Sequence, residues 1–565
     1  MHKLLTIFFL LCLTTLVIAQ PDFWNDYKFT RADTIRGKLL PERSCFDVNY
    51  YVLDLEVDPA NRSIYGSNEI HYTVIEDFTR MQLDLYANME ISAVQWKGPA
   101  NNPSQAGRIM SLSVSREGDA FYIDFSEKQV KGDKGMVKVF YNGTPRIAKR
   151  PPWDGGFVWE RDGNGQHHVG VACEGDGASL WWPNKDHLSD EPDSVTIRCT
   201  VPGGLMVVAN GNLKKETKLR DNKTTFEWFV SYPINNYNVT LNIADYAHFK
   251  DVYTSIEDGS KLDLDYYVLK ENLEKAKVHF QQVHPTLECF EKAFGKYPFW
   301  NDGFAMVETP YLGMEHQGAI AYGNQYKKGY LGRAPAGTTF DYIIIHETAH
   351  EYFGNSISCH DLAEMWIHES FGTYMETMYV EYTMGYEASL RYIATQKFGI
   401  RNQEPIIGPK DVNWADWSGG DHYHKGAWVL HTLRHAINDD EQWFKMLRSF
   451  HESNKLTNMQ TEEIVWYFSE FLEQDLIPFF DQYLRYTDIP TVEYSIKEKG
   501  KDLIVKYRLL SDTDMSMNIR MGEKGNYKPV EMTPEWQSIT LKKIGEEDFR
   551  IATELFLLKT KVSKG

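Results

Sequence analysis

Apolar and polar residues alternate through the first part of the chain. Residues 47–57 read DVNYYVLDLEV and stop at the turn Asp58-Pro59-Ala60-Asn61. Segments 63–76 and 81–96 repeat the style, with turn residues between them. Period-two alternation marks half-buried strands, and several in succession predict sheet packed on sheet. An all-β region is expected over 20–250. One stretch departs, 171–183 (VACEGDGASLWWP), whose small residues and Trp pair predict a loop packed tightly against a neighbour.

After residue 250 the period changes. Apolar residues recur at helical spacing over 272–294 and stop at Gly295. A strand-like run follows at 303–308. Segments 427–437 and 462–472 predict amphipathic helices. From 490 the period is two again, in 492–496 and 503–507, which predicts a small β module. The expected divisions are a leader at 1–19, a β domain at 20–250, a mainly helical domain at 251–488 and a β module at 489–565. The fold class is multidomain α+β, and 565 residues are more than one core accommodates.

The run at 340–345 (FDYIII) suits a strand or a helix, and the residues after it decide. His346-Glu347-Thr348-Ala349-His350 reads H-E-x-x-H. Histidines four apart stack one turn apart on a helical face, so on a helix both imidazoles reach one metal ion and Glu347 reaches a water on it. Gly354 is expected as the glycine ending that helix. Glu369, eighteen residues beyond His350, is expected as third ligand on a second helix opened by a capping box at Asp361-Leu362-Ala363-Glu364. Two His and one Glu leave a position open for water, the catalytic arrangement of one Zn²⁺ per chain.

A net charge of -19 argues against a nucleic-acid partner. Residues 1–19 have signal-peptide form: Lys3, an apolar run from Leu4 to Val17, then Val17-Ile18-Ala19. The run is short and broken by Thr14 and Thr15, so a membrane anchor is disfavoured. The chain is expected to be exported, periplasmic or secreted. Cys45, Cys173, Cys199, Cys289 and Cys359 remain after cleavage, an odd set that leaves room for one bridge without naming its partners. Asn61, Asn142, Asn222 and Asn238 head N-x-S/T sequons.

These motifs resemble the gluzincin zinc aminopeptidases, the M1 family of the aminopeptidase N and leukotriene A4 hydrolase kind. The resemblance rests on His346, Glu347, His350 and Glu369, on Gly354-Asn355, and on Trp366-Ile367 before the third ligand. It extends to Phe479-Phe480-Asp481-Gln482-Tyr483-Leu484. It implies a saddle-like β domain, a thermolysin-like zinc domain, and a short form without the family's large C-terminal helical domain. The family's G-x-M-E-N reads Leu312-Gly313-Met314-Glu315-His316 here, with Leu for the first Gly and His for the Asn. Glu315 is implied as the anchor of the substrate's free amine, and Gly313 and Met314 as a strand pairing with the substrate backbone. Tyr423-His424-Lys425-Gly426 is similar to Y-x-K-G and implies Tyr423 as the phenol facing the oxyanion. Cys173-Glu174 aligns with a fourth, less complete motif and implies Glu174 as a second amine contact. Tyr311 and Leu312 are expected to shape the first side-chain pocket.

The implied activity is hydrolysis of the N-terminal peptide bond of peptides with a free amine, with Glu347 as general base. An endopeptidase, an epoxide hydrolase of the leukotriene A4 hydrolase kind, and a non-catalytic binding protein are the alternatives. The intact Glu347 and full ligand set disfavour the last.

Overall fold

In the computed structural model, residues 22–98, 107–335, 337–415 and 417–563 are described, so the leader at 1–19 lies outside the described residues. Phe46–Asp58 is an inner strand of an eight-stranded sheet, antiparallel to Ser63–Val74 and parallel to Ser194–Pro202. Alternation in the sequence becomes one-sided burial: Lys134–Gly143 turns Val137, Val139 and Tyr141 inward. Sheets of four and three strands share the same core. The Trp pair lies in that core, fully buried, with Trp182 edge-on to Tyr51 at 5.0 Å.

The strand Tyr246–Thr254 straddles the expected division at 250/251. It pairs with Lys261–Leu269 and opens a five-stranded sheet that continues through Phe304–Glu308 and Ile320–Tyr322. Gly313–Met314 is the last strand of this sheet, hydrogen-bonded to Ile320–Tyr322 on one side only.

Helix Tyr342–His350 comes next, N-capped by Asp341, whose carboxylate accepts from the Ile343 N–H at 2.8 Å. It ends at His350 rather than running on to Gly354. Gly354 stands in the turn beyond with φ 127°, donating its N–H to the Ile357 carbonyl at 2.8 Å. A Cβ there would lie 3.2 Å from His350 Nδ1, so this glycine serves the histidine rather than the helix end.

Asp361 caps only a single 3₁₀ turn, Leu362–Glu364, by accepting from the Ala363 N–H at 2.9 Å. The reciprocal half of the expected capping box is missing, because Glu364 is occupied by the Thr461 N–H at 2.8 Å. The long helix Trp366–Met384 starts beyond that turn and carries Glu369 in its first turn.

Helix Asp421–Ile437 begins six residues before the expected 427, so Tyr423 lies within it. It packs on Trp366–Met384 through Gly426, where a Cβ would meet Ser370 Oγ at 1.6 Å. Lys425 is buried and donates to the Tyr486 carbonyl at 2.9 Å, tying the helix to the end of the helical region.

Beyond residue 490, sheets of four and three strands form the C-terminal module. Its Leu557 N–H donates to Thr432 Oγ1 at 2.9 Å, and Tyr483 donates to the Leu557 carbonyl at 2.8 Å, seating it on the helices. Cys45, Cys173, Cys199, Cys289 and Cys359 are all buried free thiols, so the bridge the count allowed does not form. Asn238 is fully buried, which withdraws it from the candidate glycosylation sites, whereas Asn61 and Asn222 are exposed. No helix among the described residues is long and apolar enough to cross a membrane.

Candidate metal centre and substrate cleft

The helix Tyr342–His350 places His346 and His350 one turn apart, and their Nε2 atoms are 3.2 Å from each other. Glu369 Oε2 lies 3.5 Å from His346 Nε2 and 3.4 Å from His350 Nε2. A tetrahedral ion with bonds of about 2.1 Å sets its donors about 3.4 Å apart, so the three atoms fit zinc. All three residues are buried, and no hydrogen-bond donor reaches Glu369 Oε2 among the described residues. A buried oxygen of this kind is costly unless a cation takes it.

Outer partners hold the imidazoles. His346 Nδ1 is 2.7 Å from Glu376 Oε1, and the other Glu376 oxygen accepts from Tyr392 at 2.6 Å. His350 Nδ1 is 3.0 Å from the Phe353 carbonyl. These contacts place the proton on Nδ1 and leave each Nε2 as a ligand. Gly372 lets the long helix approach, since a Cβ there would sit 3.1 Å from His350 Cε1.

Burial acts to lower the His346 imidazole, and Glu369 and Glu376 overcome it and hold it well above its ordinary value. Burial likewise raises the Glu369 carboxyl, but His350 and His346 reverse this and hold it well below the usual range. Glu347 is pushed up to about 8 by burial, drawn back by His346 and lifted further by Glu315.

Glu315 is buried beside this triad. Tyr237 donates to its Oε1 at 3.0 Å, and Asn355 Nδ2 donates to its backbone carbonyl at 2.7 Å. Asn355 Oδ1 in turn accepts from Asn238 at 2.6 Å, which explains the Asn after Gly354 and the burial of that sequon. Glu174, from the loop after strand His167–Ala172, meets Glu315 and His368, with their ligand atoms within 4.8 Å of one another. Burial first, and Glu315 next, push the Glu174 carboxyl well up, and its buried Oε1 has no partner among the described residues. His316, where the family has Asn, is fully buried with both ring nitrogens unpartnered among the described residues.

One cleft is lined by His346, Glu347, His350, Glu369, Glu174, Gly313, Met314, Glu315 and Tyr423. The structure therefore brings every expected site residue to one place. The Tyr423 ring lies 6.1 Å from that of His346, with 23° between the planes. Leu312 lines the cleft, but Tyr311 does not. Tyr311 is buried and donates to the Val171 carbonyl at 3.0 Å, bracing the Glu174 loop instead.

Sequence reasoning missed Glu376, Tyr237, Trp153, Tyr330 and Tyr342. Two carried a local signal. Glu376 stands seven residues after Glu369, two turns along one helical face, and Tyr342 one turn before His346. Tyr237 and Trp153 had none, being brought in from the β domain.

Residues 278–483 match the peptidase family M1 domain. Aminopeptidase B of Mus musculus is 22% identical over 480 residues, covering 77% of this chain and 68% of its own length. Aminopeptidase N of Haemophilus influenzae is 21% identical, covering 82% of this chain and 52% of its own. The chain thus spans between about half and two thirds of the length of these relatives. The M1 zinc metallopeptidase of Deinococcus radiodurans shares the fold, at a TM-score of 0.64 and 20% identity, over 79% of this chain and 95% of that one. The peptidase family M1 match thus runs over the His346, His350 and Glu369 triad, and residues 278–483 resemble that family's domain with its three metal-ligating positions filled.

Proposed function

We propose that the chain removes N-terminal residues from peptides bearing a free amine, using one zinc ion per chain. The observation that carries this reading is the carboxylate pair Glu315 and Glu174 beside the triad, with a buried Glu174 oxygen lacking a partner among the described residues. Two carboxylates converging in a buried cleft invite a cation, and a substrate ammonium supplies it. A solved structure of the Deinococcus radiodurans enzyme holds a Tyr-Ser-Ala substrate, which supports a peptide as the ligand class.

His346, His350 and Glu369 would hold the metal. When bound, it supplies Lewis-acid polarisation of the scissile carbonyl and an activated water. Glu347 takes the proton from the attacking water and passes it to the leaving amine. Tyr423 directs its hydroxyl at the oxygen where negative charge develops, an interaction stronger in the transition state than in the ground state. Glu315 and Glu174 fix the ammonium and with it the bond to be cut. The unpaired edge at Gly313–Met314 offers the substrate backbone a strand to pair with.

The test is a matched pair of peptides, one free and one N-acetylated. The free form should give a ladder of N-terminally shortened products, and the acetylated form should resist. Internal cuts in the acetylated peptide at a similar rate would make the chain an endopeptidase. Export rests on the pattern of residues 1–19 alone, and N-terminal sequencing of protein recovered outside the cytoplasm would test it.

A further inference from the structure

Glu174 reaches the cleft from a tight turn. Asp176 donates its N–H to the Glu174 carbonyl at 2.9 Å, and Gly177 donates to the Cys173 carbonyl at 2.8 Å. Gly175 and Gly177 flank Asp176 with φ of 76° and 89°. Neither glycine has a side chain to pack, so the position of the turn depends on what holds it from behind.

Asp176 is the point of attachment. Its carboxylate accepts from Arg146 Nη1 at 2.5 Å and from the Gly155 N–H at 2.6 Å. Its backbone carbonyl accepts from the Tyr86 hydroxyl at 3.0 Å and from Arg36 Nη2. Arg36 comes from the helix Arg31–Gly37, which precedes the first strand, Phe46–Asp58. It is absent from the lining of the catalytic cleft and instead lines a small cavity behind the turn, with Gly175, Gly177 and Tyr237. A Cβ on Gly177 would sit 2.7 Å from Arg36 Nη2, so the turn leaves no room between itself and the guanidinium.

The helix is fixed on both sides. After it, fully buried Arg43 donates to the Arg36 carbonyl and pairs with Asp84. Asp186 Oδ2 stands 3.7 Å from Arg36 Nη2 and accepts from the Ser179 N–H at 2.9 Å, just past the turn. Before the helix, Trp24 donates Nε1 to the Ile407 carbonyl at 3.1 Å and meets Trp414 at 5.2 Å, edge to face. The next residue, Ala415, lies against Gly175, with its Cβ 3.4 Å from where a Cβ on that glycine would be. Residues 23–37 therefore run from the helical region to the carbonyl two residues after Glu174.

We infer that Arg36 is a positioning residue: from the N-terminal helix it holds the Asp176 carbonyl and thereby sets Glu174 against the substrate ammonium. The inference rests on the aminopeptidase reading. A guanidinium on a carbonyl is a charge-assisted hydrogen bond, and it acts here on a turn that its own glycines leave loose. With the turn displaced, Glu315 alone would hold the amine, and the substrate would bind less well without any change at the metal.

The experiment measures KM and kcat for a free tripeptide in the parent, Arg36→Ala, Arg36→Lys, Glu174→Ala and the double variant of Arg36→Ala with Glu174→Ala. Glu174→Ala should raise KM about tenfold, the scale of one charge-assisted hydrogen bond. Arg36→Ala should raise KM by a similar factor, with near-parental kcat and zinc content. Arg36→Lys keeps one donor and should recover part of the loss. The double variant should match Glu174→Ala alone, because Arg36 acts through Glu174. Tyr86→Phe withdraws the other donor from the same carbonyl and leaves Arg43 and Asp84 paired. It carries the same test if Arg36→Ala does not fold, with a smaller rise in KM that disappears once Glu174 is replaced. Parental KM in the folded variants, or effects that add in the double variant, would overturn the inference and leave the aminopeptidase reading standing. A parent that cuts the N-acetylated tripeptide as fast as the free one would overturn both.

Discussion

The contact between His346 and Glu376 lends itself to a quantitative test. Glu376→Ala removes a carboxylate 2.7 Å from His346 Nδ1, in a pair whose side chains are 9% and 1% exposed. A buried hydrogen bond to a charged group contributes about 1.5–3 kcal/mol. Here that energy favours the Nδ1-protonated ring whose Nε2 faces Glu369. Converted at about 1.4 kcal/mol per decade, its loss should weaken metal binding about 10- to 100-fold, the usual range for an outer partner of a ligating histidine. Glu376→Gln keeps an acceptor at that place and should fall between parent and Ala. Tyr392→Phe, which leaves the carboxylate but removes its 2.6 Å donor, should cost less than either. Chelator competition on purified protein reads the zinc dissociation constant directly, and circular dichroism checks that the fold survives. An Ala variant with parental zinc affinity would refute the claim that this contact sets the histidine.

Four further outcomes are expected. Glu347→Gln should retain near-parental zinc and lose at least about a hundredfold in kcat, so a variant with half the parent's turnover removes Glu347 as base. Tyr423→Phe should cost about 3 kcal/mol, seen in kcat; a change confined to KM would make Tyr423 a binding or packing residue. Gly426→Ala drives a methyl into Ser370, at 1.6 Å from its Oγ, and should cost about 1–3 kcal/mol in denaturant titrations. Adding Ser370→Gly should recover part of that loss although the serine's 2.7 Å bond to the His422 carbonyl goes with it, and strict additivity would contradict the packing argument. Burial lifts the Glu191 carboxyl from 4.5 to about 7 despite donors from Ser358 and Asn458, so the folded chain keeps a proton the unfolded chain releases. The contribution of this group to stability therefore falls as pH rises through that window, and Glu191→Gln should flatten the loss between pH 5 and 8.

Local periodicity made much of this protein legible before any fold was known. Period-two runs marked the flanking β regions, and the i, i+4 histidines settled a helix where FDYIII left the choice open. Those histidines and Glu369 could be read as one donor set because each ligand sits on a helix whose face is set within a few residues. Local signals failed where a neighbour from elsewhere in the chain claimed the group. Glu364 looked like half of a capping box, but the Thr461 N–H took its carboxylate. Gly354 looked like a helix end but makes room for His350. Asn238 looked like a glycosylation site and instead braces Asn355, which holds the Glu315 backbone. Tertiary packing alone settled that Tyr237 from the β domain would touch Glu315 and that Glu376 would reach His346. These contacts join residues far apart in the chain or depend on how two helices approach. Spacing along one element fixes a direction for a side chain, whereas what it meets depends on elements that pack from a distance.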